Sequence, residues 1–216
     1  MDHINQKDRK TIIYIKNMVS RLGIAMVQSK LEALNLQYTG VFLGKIELSD
    51  PVSKADLKDL TELLRPYDFH IIEDQATITV ERIKALIIDQ ILLSEDGPKP
   101  DYTKLISNTL GRHYSHLSQI FSNHEHITIE RFYIGQKLER AMELLENEEL
   151  TVTEIAIRLH YSSVAHFSTQ FKHITGFTPK SYRQERPQIR KGRDAAKGRD
   201  AAKGRDAAIN MEKILA

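Results

Sequence analysis

The chain has 216 residues and no cysteine. That absence removes a disulfide framework, thiolate metal ligands and a cysteine nucleophile together. No apolar run approaches the roughly 20 residues needed to span a bilayer. Residues 1–10 are polar and lack the apolar core of a secretion signal. The expected location is therefore the cytoplasm. Charge of one sign is scarce as well: 31 Lys/Arg face 29 Asp/Glu, a formal balance of +2. Such a chain is no obvious polycation, so any reading of nucleic acid must lean on shape and hydrogen bonding. There is no phosphate-binding glycine loop, nucleophile elbow, metal-ligand cluster or motif with paired carboxylates. The expectation is a non-enzyme without a cofactor or a metal. What is present is enough apolar material, 41% of residues, for one large domain or two small ones.

The most informative stretch is 150–184. Val152, Ile155, Ala156 and Leu159 recur at helical spacing, with Thr151 or Thr153 placed to cap the start and Glu154 in the first turn. After His160-Tyr161-Ser162, a second helix is expected from near Ser163, marked by Val164, Phe167, Phe171 and Ile174. Ala156 is small where the two helices would cross. The other face of the second helix carries Ala165, His166, Ser168, Thr169 and Lys172. It is polar without being strongly charged, which suits contact with base edges in a major groove.

Ile155-Ala156, Tyr161, Phe167, Phe171-Lys172, Gly176, Thr178-Pro179 and Tyr182-Arg183 together resemble the second helix-turn-helix of the AraC/XylS transcription regulators. His160 stands where that family usually has a turn glycine, and a histidine there must enter the left-handed region at some cost. Residues 101–127 should form a first helix-turn-helix, with Tyr102, Leu105, Ile106, Leu110, Tyr114, Leu117, Ile120 and Phe121 as its apolar marks and a turn at Gly111 to His113. Leu117-Ser118-Gln119-Ile120-Phe121 resembles the family's first recognition helix. His113 replaces the usual serine cap, and His126 replaces the glycine that follows. Between the motifs, Thr128 to Glu146 reads as one helix capped by Thr128, and Lys137-Leu138, Ala141 and Leu144-Leu145 resemble the family's linker with lysine for arginine. About 18 residues at 1.5 Å rise give roughly 27 Å, which with the flanking motifs can set two recognition helices about one DNA turn, roughly 34 Å, apart.

The resemblance implies double-stranded DNA as partner. It places Ser115, Ser118 and Gln119 in the first motif, and Ala165, His166 and Thr169 in the second, at base-contacting positions. Arg112, Lys172, Lys180 and Arg183 lie near motif ends or in the locking segment, where phosphate contact is expected. From Pro98 to Arg186, eleven Lys/Arg meet ten Asp/Glu. Phosphate contacts supply much of DNA affinity, so distribution must compensate for that thin margin. Glu139, Glu143, Glu146, Glu148 and Glu149 gather on the linker helix and its exit and are expected to face away from DNA. Seven of the nine histidines lie in this region. Without a carboxylate or thiol at ligand spacing they read as polar surface rather than a zinc or nickel site.

The N-terminal part alternates differently. Thr11 to Asn17 is strand-like, Val19 to Leu36 helical, and Gln37 to Ser49 strand-like with Gly44 marking a bulge, bend or short turn. Ser53 opens a helix whose stripe is Leu57, Leu60, Leu63 and Leu64, Pro66 stops it, and Phe69 to Asp74 is another strand. The order βαβαβ argues for a small sheet with helices on one face. Asn17-Met18-Val19-Ser20-Arg21-Leu22-Gly23 resembles the metal-binding loop of heavy-metal-associated, ferredoxin-like domains, with Ser20 and Gly23 in place of both cysteines. Soft-metal binding by paired thiolates is thereby excluded at this site, and Met18 reads as a core residue.

A helix from Ile78 to Leu93 either closes this domain or pairs with a copy of itself. Ser94 to Pro100, with Gly97, Pro98 and Pro100, reads as a linker. Lys-Gly-Arg-Asp-Ala-Ala repeats three times over 191–208. It reads as a low-complexity basic tail, either solvated or adding non-specific DNA affinity.

The expected fold is α+β: a ferredoxin-like α/β sandwich over 1–94 acting as sensor or association domain, a linker at 95–100, an all-α double helix-turn-helix domain over 101–186, and the tail over 187–216. The expected function is a sequence-specific DNA-binding transcription regulator, with a small-molecule or protein effector, or a homodimer contact, at the N-terminal domain. The alternative is an adaptor whose helix-turn-helix surface binds protein.

Overall fold

The computed structural model describes residues 11–93, 101–147 and 149–184. The linker expected at 95–100 and the repeat tail at 187–216 lie outside these residues. The chain divides into two compact units, Met1–Ala85 and Leu86–Ala216.

In the first unit the order is β1 (Thr11–Lys16), α1 (Arg21–Ala33), β2 (Tyr38–Phe42), β3 (Lys45–Leu48), α2 (Lys54–Leu64) and β4 (His70–Ile72). The sheet has four strands in the order β2-β3-β1-β4, and each neighbouring pair is antiparallel. This is the β-α-β-β-α-β arrangement of a ferredoxin-like sandwich. The segment 37–49 therefore contains two strands where βαβαβ allotted one. The physical reason is Gly44: at φ 66° it turns the chain between Phe42 and Lys45, so of the bulge, bend or short turn expected there it forms the short turn, which closes a hairpin.

Period-two alternation sends Ile13 and Ile15 of β1, Val41 of β2, and Ile46 and Leu48 of β3 to one face. There they meet Met18, Val27 and Leu31 from the α1 side and Leu60 and Leu64 of α2. Each such burial stabilises by about 1.5–3 kcal/mol before the entropy of ordering is subtracted. Ser20 caps α1 by accepting the Gly23 N–H at 3.1 Å, and Ser53 caps α2 by accepting the Asp56 N–H at 3.1 Å. Met18 is 1% exposed. Gly23 is packed so closely that an added Cβ would stand 3.1 Å from the Phe69 ring and 3.3 Å from Met18. Gly23 is thus part of the core packing.

Pro66 lies in a single 3-10 turn, Arg65–Tyr67, that ends α2. Asp74 then caps α3 (Gln75–Leu93) through the Thr77 N–H at 2.8 Å. Glu81 of α3 is buried, accepts Lys84 Nζ at 2.9 Å, and accepts the Asn17 N–H at 3.2 Å. The division between the two units falls within α3.

The second unit is helical: α4 (Tyr102–Leu110), α5 (Tyr114–Glu125), α6 (Ile129–Glu146), α7 (Val152–Arg158) and α8 (Val164–Thr175), with residues 179–184 also helical. The long α6 buries Ile129, Tyr133, Gly135, Lys137, Leu138, Ala141, Met142, Leu144 and Leu145. The shorter helices bury Ile106, Leu117, Phe121, Ile155, Ala156, Phe167, Phe171 and Ile174. None of the helices among the described residues is long and apolar enough to cross a membrane.

Candidate nucleic-acid interface

Each half of this unit is built by the same local devices. Asp101 caps α4 by accepting the Thr103 and Lys104 N–H groups at 3.2 Å each. Gly111 closes the helix at φ 63°. α5 then starts at His113, which makes no side-chain capping bond, and ends at His126 with φ 58°. In the second motif Thr151 and Glu154 form a reciprocal capping box ahead of α7. The turn passes through His160 at φ 55°, and the Tyr161 N–H returns to the Ala156 carbonyl at 2.9 Å. Ser163 caps α8 by accepting the His166 N–H at 3.0 Å, and Gly176 ends it at φ 84°. The histidine at the expected glycine position does take the left-handed conformation.

The two motifs repeat each other fifty residues apart. Leu117 and Phe121 of α5 correspond to Phe167 and Phe171 of α8, and all four are fully buried. Phe121 meets Phe132 edge-on at 5.6 Å, and Phe171 meets Tyr182 at 5.5 Å. Thr128 accepts the Arg131 N–H at 3.1 Å, and Thr178 accepts the Ser181 N–H at 3.1 Å. The solvent faces correspond too. Ser115 and Gln119 are exposed with Ser118 half-buried, while Ala165, His166, Thr169 and Lys172 are exposed with Ser168 half-buried. Ser115, Ser118 and Gln119 share one helix face by i, i+3 and i+4 spacing, and in α8 Thr169 lies four residues after Ala165 and three after His166, beside both on the helix surface.

Of the four expected phosphate contacts, Arg112, Lys172 and Lys180 are exposed. Arg183 is half-buried, and its Nη2 donates to the Leu150 carbonyl at 2.6 Å. Its guanidinium ties the locking segment to the loop before α7. On α6, Glu143 accepts Arg140 Nη1 at 2.8 Å and Glu146 accepts the Tyr182 hydroxyl at 3.4 Å. Among the described residues, no three His, Asp or Glu side chains converge in a way that could hold a metal ion.

A polar aromatic column between the motifs was not legible beforehand. Lys137 of α6 is only 7% exposed, and its Nζ lies 3.8 Å from the centroid of Tyr161 and 5.5 Å from that of Tyr133. Tyr133 stacks on Tyr102 of α4 at 4.7 Å. Burial, then the neighbouring Tyr102 and Glu130, push the Tyr114 phenol up to about 12. Burial chiefly, with Tyr133 second, also raises Tyr161. A desolvated ammonium over aromatic faces is worth about 2 kcal/mol. The signal available in sequence was Tyr133 four residues before Lys137, a spacing that brings two side chains together on one helix face.

Two motifs of this construction, joined by one buried helix, define a double helix-turn-helix domain. Residues 106–185 match the family model of a helix-turn-helix domain. A helix-turn-helix-type transcriptional regulator of Staphylococcus aureus strain MSSA476 is 35% identical over 91 residues, covering 42% of this chain and 12% of that protein. The regulator GbdR of Pseudomonas aeruginosa is 30% identical over 71 residues, covering 33% of this chain and 19% of that protein. Among solved structures, the C-terminal domain of AraT, a response regulator from Geobacillus stearothermophilus, is 27% identical, with 51% of this chain and 88% of that chain covered at a TM-score of 0.43. The chain therefore spans only 12% to 19% of the length of these curated relatives.

Proposed function

We propose that the chain is a sequence-specific DNA-binding transcription regulator in which α5 and α8 read successive major-groove faces of one duplex. The observation that carries this reading is the repeat itself. Two recognition-type helices keep corresponding positions buried and leave small or polar side chains on the solvent face. Ser115, Ser118 and Gln119 form one reading set, and Ala165, His166 and Thr169 the other. Gln119 can pair bidentately with adenine, and serine and threonine are permissive. Arg112, Lys172 and Lys180, together with Arg183 through its remaining donors, contact phosphate.

The domains of this reading are a sensor or association domain over 1–94, a linker at 95–100 and the DNA-binding domain over 101–186. Similarity of the first domain to heavy-metal-associated domains is one of fold: the element order and strand order support it, and the thiolates are missing. A small-molecule or protein effector, or a second copy, is its proposed partner, and the proposed location is the cytoplasm.

The test is selection of bound sequences from a random duplex library at two salt concentrations. Recovery of a two-part motif with centres about ten base pairs apart is the expected result. Recovery of no motif, with binding insensitive to salt, would instead favour the adaptor reading, since counterion release makes DNA binding steeply salt-dependent.

A further inference from the structure

His166 is held from two sides by the turn that precedes α8. It is the third residue of α8 and exposed. Its Nδ1 lies 3.0 Å from the Ser162 hydroxyl, four residues earlier in the turn. Its ring stands at 81° to that of Tyr161, with centroids 5.5 Å apart. Tyr161 is itself fixed by Lys137 at 3.8 Å and by Phe167, whose ring centroid is 5.0 Å away. The imidazole is thus engaged at one nitrogen and along one ring edge, and Nε2 is the nitrogen left for a ligand.

Chemistry then decides what Nε2 presents. A serine hydroxyl both donates and accepts. If it donates to Nδ1, the neutral ring carries its proton on Nε2, the tautomer that histidine prefers in water. If the ring is protonated, Nδ1–H donates to the hydroxyl and Nε2–H is again a donor. Two of the three states therefore present an N–H donor outward, and the third is the less stable tautomer. Which nitrogen is engaged is set by the partner on the other one.

Resting on the DNA-reading role proposed for α8, we infer that His166 is a specificity-determining donor for guanine, and that Ser162 and Tyr161 are the residues that position it. In the major groove guanine offers two adjacent acceptors, N7 and O6, whereas cytosine offers an N4–H donor that repels another donor. Adenine N7 and thymine O4 are single acceptors and rank between them. The outcome is one base pair, within the half-site read by α8, where guanine is favoured and cytosine rejected. One hydrogen bond of this kind gives roughly tenfold discrimination.

The experiment is random-library selection with the full chain, comparing wild type, His166→Gln, His166→Ala, Ser162→Ala and Tyr161→Phe. Histidine-labelled nitrogen NMR on the same proteins identifies His166 by the signal lost in His166→Gln and reports its tautomer. Wild type selects guanine at one position of the α8 half-site. His166→Ala flattens that position alone. His166→Gln shifts it toward adenine, because an amide pairs with N6 and N7. Ser162→Ala lowers the guanine preference several-fold and moves the His166 nitrogen shifts toward a tautomer mixture, while Ser162→Thr restores both. Tyr161→Phe keeps the ring and changes neither. A wild-type motif that survives unchanged in His166→Ala and His166→Gln overturns the inference and leaves the DNA-reading role standing. A wild type that selects no motif overturns both. Unchanged nitrogen shifts and unchanged preference in Ser162→Ala remove the positioning role.

Discussion

The repeat allows a helix cap to be compared with itself. His126 closes α5 at φ 58° and Gly176 closes α8 at φ 84°, at corresponding positions. A left-handed conformation costs an L-residue about 1–2 kcal/mol, toward the lower end for histidine. Installing glycine removes that strain but adds about 0.4–1 kcal/mol of unfolded-state entropy. His126→Gly should therefore stabilise by about 0.5 kcal/mol. Gly176→Ala imposes the strain anew, and since an added Cβ at Gly176 meets no atom within 4 Å, no clash enlarges the cost, which comes to about 1 kcal/mol. With a urea m-value of about 2 kcal/mol per molar, the midpoint of the helical transition should rise by about 0.25 M in the first variant and fall by about 0.5 M in the second. Far-UV circular dichroism at unchanged m reads both. A neutral Gly176→Ala, or a His126→Gly that destabilises, refutes the reasoning and assigns the caps to side-chain contacts instead.

Four other outcomes are expected. Lys137→Ala should cost about 3–5 kcal/mol, because it deletes a buried stem as well as the cation over two rings, whereas Lys137→Met, which keeps the stem and loses only the cation, should cost about 2 kcal/mol; a neutral Lys137→Met in urea would refute the column. Glu154 is lowered by the backbone hydrogen bond of Thr151 first and its side-chain hydrogen bond next. Its contribution is therefore complete above the ordinary value of 4.5 and is lost as pH falls through the depressed folded value; thermal melts from pH 6 to 3 should show Glu154→Gln, which removes the carboxylate that the Thr151 N–H bonds, converging on wild type. Tyr114, raised from 10.0 to about 12, holds its proton more tightly when folded, so stability should decline as pH climbs through that window, with a late phenolate absorbance that loses one tyrosine's share in Tyr114→Phe. Finally, four phosphate contacts give a slope of log affinity against log salt of about −3.6, and Lys172→Ala should reduce its magnitude by about 1; filter binding at several salt concentrations measures it.

Local chemistry was legible where it is self-contained. Ser53, Thr128, Thr151 and Ser163 cap helices through bonds within three residues of themselves, and such bonds can be read from spacing alone. The paired motifs and the left-handed His160 were readable for the same reason. The extra strand was missed because 37–49 is uniformly strand-like, and one glycine at φ 66° decides between a bend and a hairpin. Lys137 was missed because a lysine on a helix is ordinarily a solvated residue, and its burial depends on Tyr161, which arrives from the turn 24 positions away. Arg183 looked like a surface cation for the same kind of reason: its bond to the Leu150 carbonyl joins residues 33 apart.

The repeat also separates scaffold from reading chemistry. The buried positions of α5 and α8 match in type, and His116 answers His166, but other exposed positions differ. Ser115 is answered by Ala165, Gln119 by Thr169, Ser122 by Lys172 and Glu130 by Lys180. A helix that reads through glutamine and serine cannot recognise the same base edges as one that reads through alanine, histidine and threonine. Under the proposed function one copy of the chain therefore has two unlike half-sites, and its target on DNA lacks two-fold symmetry. The charges add an asymmetry of strength. Lys172 and Lys180 both belong to the second motif, and the first has glutamate where the second has Lys180. Under the same reading the second motif supplies three of the four phosphate contacts, Lys172, Lys180 and Arg183, and the first supplies Arg112 beside what Gln119 and its neighbours read.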